Sequence, residues 1–297
     1  MKSWSYPPLK QAKSRTVNTI MNVDNRTTEQ LREQYEIEKE LANKLRNASK
    51  DERRYLYSSL YDELFERVPH HSQLTRKSSP EKNERYVSEE IRIIKPFLRK
   101  DNIFLEVGPG DCAMSFAVTQ FVKEVYAVDV SEKITNSVTR PPNFHLIISD
   151  GCNIPLPENT VNVAYSNQLM EHLHPDDAFE QLENIYRALT LGGVYICITP
   201  NRLGGPHDIS RYFEDEFAVG FHLKEYSIRE LNRLFRKVGF SSTSIYIEFR
   251  KKYIRFPVFL IVMCESILDM LPYALRKFIY QVKPFSYFIS IRLIGIK

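Results

Sequence analysis

The feature of this sequence that most constrains its fold is a regular alternation of strand-length apolar runs and helical segments that begins at Asn102. Apolar residues recur at helical spacing in residues 175–189 and 227–238. The runs that predict strands cover residues 103–107, 124–130, 144–149, 161–167 and 194–199. Alternation of this kind predicts a parallel sheet with helices on both faces.

The segment before this alternation has two parts. Residues 1–26 are polar and predict a flexible arm. Residues 27–100 carry apolar residues at helical spacing, and Thr27 and Thr28 are suited to cap the first helix. We expect this helical region to act as a cap or lid over a site in the core, although plain packing explains the same pattern.

The segment after the alternation combines basic and apolar residues. Residues 242–249 alternate like a strand and complete the predicted core, which covers residues 101–249. Residues 250–297 begin with a basic run and predict a basic amphipathic helical insertion, followed by a last strand at residues 287–296. Such an insertion can bind an anionic membrane surface or cover a pocket, and the sequence leaves both open.

The charge of the chain is concentrated in this tail. The 297 residues have a formal net charge of +4, but residues 250–297 hold nine Lys and Arg against two Asp and Glu. Nucleic-acid-binding proteins more often carry a broad basic face, so we expect no nucleic-acid partner. The sequence shows no secretory signal, no apolar run of membrane-spanning length and no CxxC pair. These features predict a cytoplasmic protein whose tail is suited to peripheral membrane contact.

The first predicted strand runs into a glycine-rich turn that is surrounded by carboxylates. Glu106 lies two residues before Gly108, and Asp111 follows Gly110 directly. Glycines between a strand and a helix let the backbone approach a cofactor closely. Asp129 closes the second strand, 19 residues after Gly110. A carboxylate at that point can accept hydrogen bonds from a ribose diol.

Two classes of cofactor fit this turn. Residues 108–113 also read as GxGxxA, so the nicotinamide dinucleotide of an oxidoreductase is an alternative. The carboxylates favour another ligand, because Glu106 can meet a cationic amino group, whereas Asp111 and Asp150 would repel a diphosphate. We therefore expect a nucleoside that carries positive charge.

Four segments of the core, taken in order, resemble the class I S-adenosylmethionine-dependent methyltransferases. Residues 105–110 (Leu-Glu-Val-Gly-Pro-Gly) resemble the first motif of that family, and residues 126–131 resemble the segment with its ribose-binding acid. Residues 149–166 resemble the adenine-side loop and the fourth strand, and residues 189–194 the turn into the fifth strand. The resemblance covers about residues 102–249. It implies an α/β fold with a doubly wound, mostly parallel seven-stranded Rossmann-like sheet, whose last strand lies antiparallel at the edge.

The resemblance also implies the cofactor, S-adenosylmethionine, and the residues that bind it. Where the family often has a third glycine, this chain has Cys112, whose side chain we expect beside the cofactor. The cofactor-binding residues implied by the resemblance are Glu106, Gly108, Gly110, Asp111, Asp129, Val130, Asp150, Gly151, Cys152 and Asn167.

Candidates for work on the acceptor follow the fourth and fifth strands, where a doubly wound sheet places its active site. His172 follows the fourth strand, near the point to which the resembled family directs the methyl group. His207 precedes Asp208 in the long segment 200–226, and the two can form a base with its orienting carboxylate. Packing or capping roles explain these residues as well.

The sequence therefore predicts an enzyme that transfers a methyl group from S-adenosylmethionine to an oxygen or nitrogen atom of a small molecule. A specialised metabolite, a sugar and a lipid-linked precursor are all suitable acceptors. Methyl transfer requires no metal, and the sequence shows no convincing cluster of metal ligands. The alternatives are an NAD-dependent oxidoreductase and a catalytically silent, methyltransferase-like protein that binds membranes.

Overall fold

A computed structural model describes residues 26–71, 74, 80–131, 140–249, 252–282 and 290–297 of the chain. Most of the predicted arm, the basic pair at residues 250 and 251 and the start of the predicted last strand lie outside these residues. Among the helices that are described, none is both long and apolar enough to cross a lipid bilayer.

In the described part of the chain, three helices precede the sheet: α1 (Thr28–Asn47), α2 (Lys50–Arg67) and α3 (Pro80–Ile94). Thr27 caps α1 as predicted, and Ser49 caps α2. Both helices begin with a complete capping box, in which the side chain at the third helical position bonds back to the capping backbone N–H. The second capping box explains why the chain forms two helices between residues 27 and 68.

Five parallel strands form one side of the sheet, and the central strands among them are covered on both faces. They are β1 (Ile103–Val107), β2 (Glu124–Asp129), β3 (Phe144–Ile148), β4 (Val161–Asn167) and β5 (Leu189–Thr199). Phe104 and Leu105 of β1 are both fully buried although they point to opposite faces. Burial on both faces accounts for the continuous apolar runs in the sequence. The prediction of a doubly wound, mostly parallel sheet is confirmed.

Three further strands complete the sheet: β6 (Ser242–Phe249), β7 (Lys252–Pro257) and β8 (Ile291–Ile296). The strand order is β3-β2-β1-β4-β5-β8-β6-β7, so the sheet has eight strands rather than the seven predicted. β8 pairs antiparallel with both β5 and β6, and it is therefore an interior strand rather than the predicted edge strand. β7 is the edge strand on this side of the sheet, and it forms where the helical insertion was predicted to begin.

The exposure of the side chains agrees with the interior position of β8 and the edge position of β7. Ile291, Leu293 and Ile294 of β8 are almost completely buried, as is typical of an interior strand. β7 exposes Lys252 and Arg255, and charged side chains of this kind discourage pairing with another chain at a sheet edge.

The other α-helices among the described residues are α4 (Ala113–Val118), α5 (Pro175–Ala188), α6 (Ile228–Val238), α7 (Val258–Asp269) and α8 (Tyr273–Gln281). One apolar cluster joins α1, α2, α5 and α6 to the face that carries Leu105. A second cluster joins α3 and α4 to the face that carries Phe104. The helices predicted at residues 175–189 and 227–238 are confirmed.

Candidate functional site

A cavity of about 1020 Å³ lies at the carboxyl ends of β1, β2, β4 and β5. One half contains the glycine turn that follows β1, and we call it the cofactor half. The other half contains His172 and His207, and we call it the acceptor chamber. The two halves are continuous, as a reaction between a cofactor and a second molecule requires.

The glycine turn needs a left-handed backbone at three positions. Gly108 has φ 69°, Gly110 has φ 57° and Cys112 has φ 59°. A side chain at Gly108 would be strained, and its Cβ would lie 2.9 Å from Leu169 Cδ1. The expectation that Cys112 lies beside the cofactor is not met, because its side chain is fully buried in the apolar cluster behind the turn.

Asp129 ties the end of β2 to this turn. One carboxylate oxygen accepts a hydrogen bond from the Gly110 N–H (3.2 Å), and the other accepts one from the Val130 N–H (2.7 Å). Asp129 and Val130 line the cavity. Asp111 caps the start of α4 by accepting from the Ala113 N–H (3.1 Å), and it lines the cavity as well.

Glu106 is a buried carboxyl group in the wall of the cofactor half. It accepts a hydrogen bond from the Ser115 hydroxyl and is 5% exposed. Burial raises the pKa of Glu106 to about 8, although the Ser115 hydrogen bond acts in the opposite direction. Without a ligand, Glu106 is therefore mostly protonated at neutral pH. A cationic group placed beside it would favour the ionised form.

Asp150, in the turn after β3, was predicted to bind the cofactor, but in the structure it bonds to the backbone of its own turn. Asp150 accepts hydrogen bonds from the N–H groups of Cys152 (3.0 Å) and Asn153 (2.7 Å), and Arg54 lies 3.6 Å from its other oxygen. Burial acts to raise the pKa of Asp150, but these hydrogen bonds and Arg54 outweigh it and lower the pKa. Asp150 and Cys152 do not line the cavity, whereas Gly151 does.

Most of the predicted cofactor-binding residues thus border one space. Besides Gly151, the predicted residues that line the cavity are Glu106, Gly108, Gly110, Asp111, Asp129, Val130 and Asn167. The Asn167 amide donates to the Tyr86 hydroxyl of α3, which brings the N-terminal helices to this edge of the sheet.

His172 faces the acceptor chamber from the segment that follows β4. Its Nδ1 is 3.0 Å from the Phe221 carbonyl oxygen, and its ring packs edge-on against Tyr61 and His222. Burial and the neighbouring His222 lower the pKa of His172 to about 3. The imidazole is therefore neutral, with Nδ1–H donating to the carbonyl and a lone pair on Nε2.

A polar cluster lies beside His172. Glu171 is fully buried and accepts a hydrogen bond from the Thr199 hydroxyl (2.8 Å), and burial raises its pKa to about 7. The His222 Nδ1 lies 2.7 Å from a Glu225 carboxylate oxygen. Burial alone would lower the pKa of His222, but Glu225 outweighs it and raises the pKa to about 9.

His207 and Asp208 do not form the predicted pair. His207 lines the cavity, and its Nε2 lies 2.9 Å from the Asn201 carbonyl oxygen. The Asp208 carboxylate accepts from the N–H groups of Ser210 (3.0 Å) and Gly220 (2.8 Å), so it shapes the segment and is absent from the cavity wall. A residue and its successor in an irregular segment rarely face each other, and here the carboxylate caps the turn of 3₁₀ helix at Ile209–Tyr212.

The long segment after β5 is fixed against α1. The Arg46 guanidinium donates to the carbonyl oxygens of Val219 (2.8 Å) and Gly220 (2.9 Å), and Glu38 accepts from the Phe221 N–H (3.3 Å). These contacts hold Phe221 and His222 next to His172, so the acceptor chamber depends on the N-terminal helices.

Several residues of the chamber wall were not predicted from the sequence. Tyr61 of α2, Tyr280 of α8 and Arg292 of β8 line the cavity. Within the described residues, Nη1 of Arg292 is buried and has no hydrogen-bond partner. These residues reach the chamber through long-range packing, for which sequence spacing holds no signal. Unlike Arg292, Arg202 in the segment after β5 forms ion pairs, with Asp269 and Glu230.

Comparison with known proteins assigns the core to a family. Residues 105–197 match a family model described as a methyltransferase domain. A probable S-adenosylmethionine-dependent methyltransferase of Mycolicibacterium smegmatis is 28% identical over 137 residues, which are 46% of this chain and 51% of that protein. One of Mycobacterium tuberculosis is also 28% identical over 137 residues, 46% of this chain and 47% of that protein. The chain thus spans about half the length of the curated relatives it matches.

A solved structure shows the same fold over more of the chain. It is a phosphoethanolamine N-methyltransferase of Haemonchus contortus in complex with phosphoethanolamine and S-adenosylhomocysteine. It is 12% identical, has a TM-score of 0.54, and the match covers 84% of this chain and 50% of that one. Residues 105–197 form a class I S-adenosylmethionine-dependent methyltransferase domain. The predictions of this family and of S-adenosylmethionine as cofactor are confirmed, and the oxidoreductase alternative is not supported.

Proposed function

We propose that this protein transfers a methyl group from S-adenosylmethionine to an oxygen or nitrogen atom of a small molecule. The observation that carries the proposal is the continuous cavity, which joins the glycine turn to a chamber lined by the imidazoles of His172 and His207. A volume of about 1020 Å³ is at the upper end for ligand pockets, and it has room for a cofactor and a compact acceptor together.

The cofactor half fits a cationic nucleoside. Glu106 is a buried carboxyl group that a cationic amino group would ionise, and Asp129 has its carboxylate at the ribose position of the fold. Gly108 leaves space where a side chain would be strained. When bound there, S-adenosylmethionine supplies an activated methyl group on a sulfonium, so the protein has mainly to orient the two partners.

The acceptor chamber fits a small polar molecule. His172 and His207 offer neutral nitrogen atoms, which can accept a hydrogen bond from a hydroxyl or amino group. Tyr61 and Tyr280 supply apolar ring surface from α2 and α8. The unpartnered Nη1 of Arg292 suits an acceptor with a carbonyl, carboxylate or phosphate oxygen. α2 and α8 both contribute to the wall, which favours a small acceptor over a macromolecule.

The transfer of a labelled methyl group to an acceptor tests this proposal. The protein is incubated with S-adenosylmethionine labelled in the methyl group and with separate pools of small polar metabolites, lipids, protein and nucleic acid. We expect label in one of the first two pools, and much less with the Asp129→Ala variant at the same cofactor concentration. Label confined to protein or nucleic acid would refute the small-molecule acceptor, and no transfer to any pool would leave the silent, methyltransferase-like alternative as the better description.

We propose further that α7 and α8 attach the protein to the cytoplasmic surface of an anionic membrane. The exposed apolar side chains of these two helices are Phe259, Leu260, Met263, Ile267, Leu275 and Phe278, and Met270 lies between the helices. Lys252 and Arg255 of the adjoining β7 are exposed. Apolar side chains flanked by cations are typical of helices that lie in the lipid headgroup region.

Flotation with vesicles tests the attachment. We expect the wild-type protein to float with vesicles that contain phosphatidylserine, and Phe259→Ser combined with Phe278→Ser to reduce the bound fraction several-fold. Leu191→Ser is the matched control, because Leu191 is 89% exposed on β5, outside both helices. Equal binding by the double variant and the control would contradict the attachment.

A further inference from the structure

We infer that Glu171, His172 and His222 bind a divalent metal ion in the wall of the acceptor chamber. One ligand atom from each of the three side chains lies within 4.8 Å of the other two. No metal was expected from the sequence, in which His222 lies 50 residues from His172; only the fold brings the two side chains together. Two imidazoles and one carboxylate form a common ligand set for transition metals.

The fully buried Glu171 carboxylate is the observation that points to a ligand. One of its oxygens accepts the Thr199 hydroxyl, but Oε1 is buried and has no hydrogen-bond partner among the described residues. A buried carboxylate oxygen without a partner is costly, because it loses its hydration and gains nothing in return. A metal ion bound to Oε1 would remove this cost.

Each of the three ligands already has the supporting contact that metal ligands usually have. The Nδ1 of His222 bonds to Glu225, and the Nδ1 of His172 bonds to the Phe221 carbonyl. These contacts leave Nε2 of each ring for an ion, which would displace the Nε2 proton of His222 on binding. Metal-binding histidines typically donate their second ring nitrogen in this way to a carboxylate or a backbone carbonyl. Here the carboxylate of Glu171 is supported in the same manner, by the Thr199 hydroxyl.

The geometry requires only small side-chain movements. Ligand atoms at about 2.1 Å from one ion are at most about 4.2 Å apart, so a separation within 4.8 Å closes by a fraction of an ångström. Imidazole nitrogens favour Zn²⁺, Fe²⁺ and related ions over Mg²⁺ and Ca²⁺, which prefer oxygen. We therefore infer a transition-metal ion rather than an alkaline-earth ion.

A second group of potential ligands serves as an internal contrast. Cys152, Asp177 and Glu180 are similarly close together. Both oxygens of Asp177, however, are occupied, one by Arg53 Nη2 (2.7 Å) and the other by Arg53 Nε and the Tyr57 hydroxyl (2.7 Å). Both oxygens of Asp177 therefore have hydrogen-bond partners, unlike Oε1 of Glu171, so this group carries no metal site.

The position of the site has a consequence for the acceptor, which rests on the proposed methyl transfer. Three protein ligands leave at least one coordination position open, and His172 lines the chamber. An acceptor oxygen can occupy the open position. Because a metal ion lowers the pKa of an oxygen bound to it, a hydroxyl acceptor would be favoured over an amine.

Metal binding to the purified protein, stripped of metal with chelator, tests the inference without any assay of methyl transfer. We expect titration calorimetry with Zn²⁺ to show one strong site, and Co²⁺ to give the visible absorption of a nitrogen- and oxygen-ligated ion. Glu171→Gln and His222→Gln should each weaken binding about 100-fold or more, and Glu225→Gln should weaken it about 10–100-fold, as for other supporting residues.

The controls separate this site from adventitious binding and from misfolding. His145→Gln removes an exposed imidazole outside the cluster and should leave the strong site unchanged. Circular dichroism and S-adenosylhomocysteine binding establish that each variant is folded. The absence of a strong site in the wild-type protein, or a strong site that persists in the folded Glu171→Gln and His222→Gln variants, would overturn the inference. Neither outcome bears on methyl transfer itself, which is tested by label.

Discussion

The two halves of the cavity are built in opposite ways. The cofactor half is formed by turns that follow β1, β2 and β3, from Glu106 to Gly151, so a short piece of chain supplies nearly all its polar groups. The acceptor chamber draws on α2, the segments after β4 and β5, α8 and β8, from Tyr61 to Arg292. The polar groups of the cofactor half therefore come from a few neighbouring strand ends, whereas the acceptor chamber forms only when distant parts of the described chain pack together.

The strongest test of this contrast removes an ion pair that holds the chamber together. Arg53 of α2 and Asp177 of α5 form a buried ion pair, with side chains 5% and 1% exposed, and Tyr57 donates to the same carboxylate. We expect Arg53→Met to lower the free energy of unfolding by about 3–5 kcal/mol, because Asp177 is left as a buried charge without its cation. Denaturant unfolding measures this loss.

The matched control is Arg67→Met. Arg67 lies on the same helix, but its partners Glu40 and Glu63 are exposed, so the loss of stability should be much smaller. Folded Arg53→Met protein should still bind S-adenosylhomocysteine within a few-fold of wild type. Loss of cofactor binding in step with stability would show that the two halves are not separable.

A second test replaces a residue of the cofactor half itself. Asp129→Ala removes the acceptor of two backbone N–H groups and the carboxylate that we propose to bind the ribose. We expect the affinity for S-adenosylhomocysteine to fall about 100-fold, or about 2.7 kcal/mol, when measured by titration calorimetry. Glu124→Ala at the other end of β2 is the control and should bind normally. An Asp129→Ala protein with unchanged affinity would mean that the cofactor half is misassigned.

The smallest expected effect is the dependence of cofactor affinity on the protonation of Glu106. The pKa of Glu106 is raised to about 8 by burial, so the group is protonated below that pH in the ligand-free protein. A cationic amino group favours the carboxylate, and binding at pH 7 should therefore release a proton from Glu106. The affinity should rise with pH between about 6 and 8, by at most about tenfold per pH unit.

Calorimetry in buffers with different ionisation enthalpies measures the proton released. Glu106→Gln keeps the shape of the side chain but should abolish that release. If wild type and Glu106→Gln release the same number of protons, the amino group does not meet Glu106, and the carboxyl has a structural role alone.

The sequence predicted most residues that border the cofactor half because its signals are local. Gly108, Gly110 and Asp129 lie at strand ends, and strand ends in a parallel sheet meet at one edge. Asp150 shows the limit of this reasoning, because an aspartate before a glycine is equally suited to bond its own turn, as it does here. Spacing alone could not separate the two roles.

The acceptor chamber could not be predicted in this way. His172 was identified from its position after β4, but the proximity of His222 depends on Arg46 and Glu38 of α1, which fix a segment more than 170 residues further along the chain. The failure of the His207–Asp208 pair has the same origin. Contacts between distant segments are set by packing, which leaves no pattern in the spacing of residues.

The interior position of β8 has a consequence for folding. β6 and β7 form a hairpin that is joined to β5 through β8. During synthesis the hairpin therefore has no partner on the core sheet until residues 291–296 emerge from the ribosome. Until then β5 and β6 each present an unpaired edge, and contacts this far apart in sequence form slowly. We expect nascent chains that lack β8 to depend on chaperones, while the glycine turn and its cofactor half are already able to form.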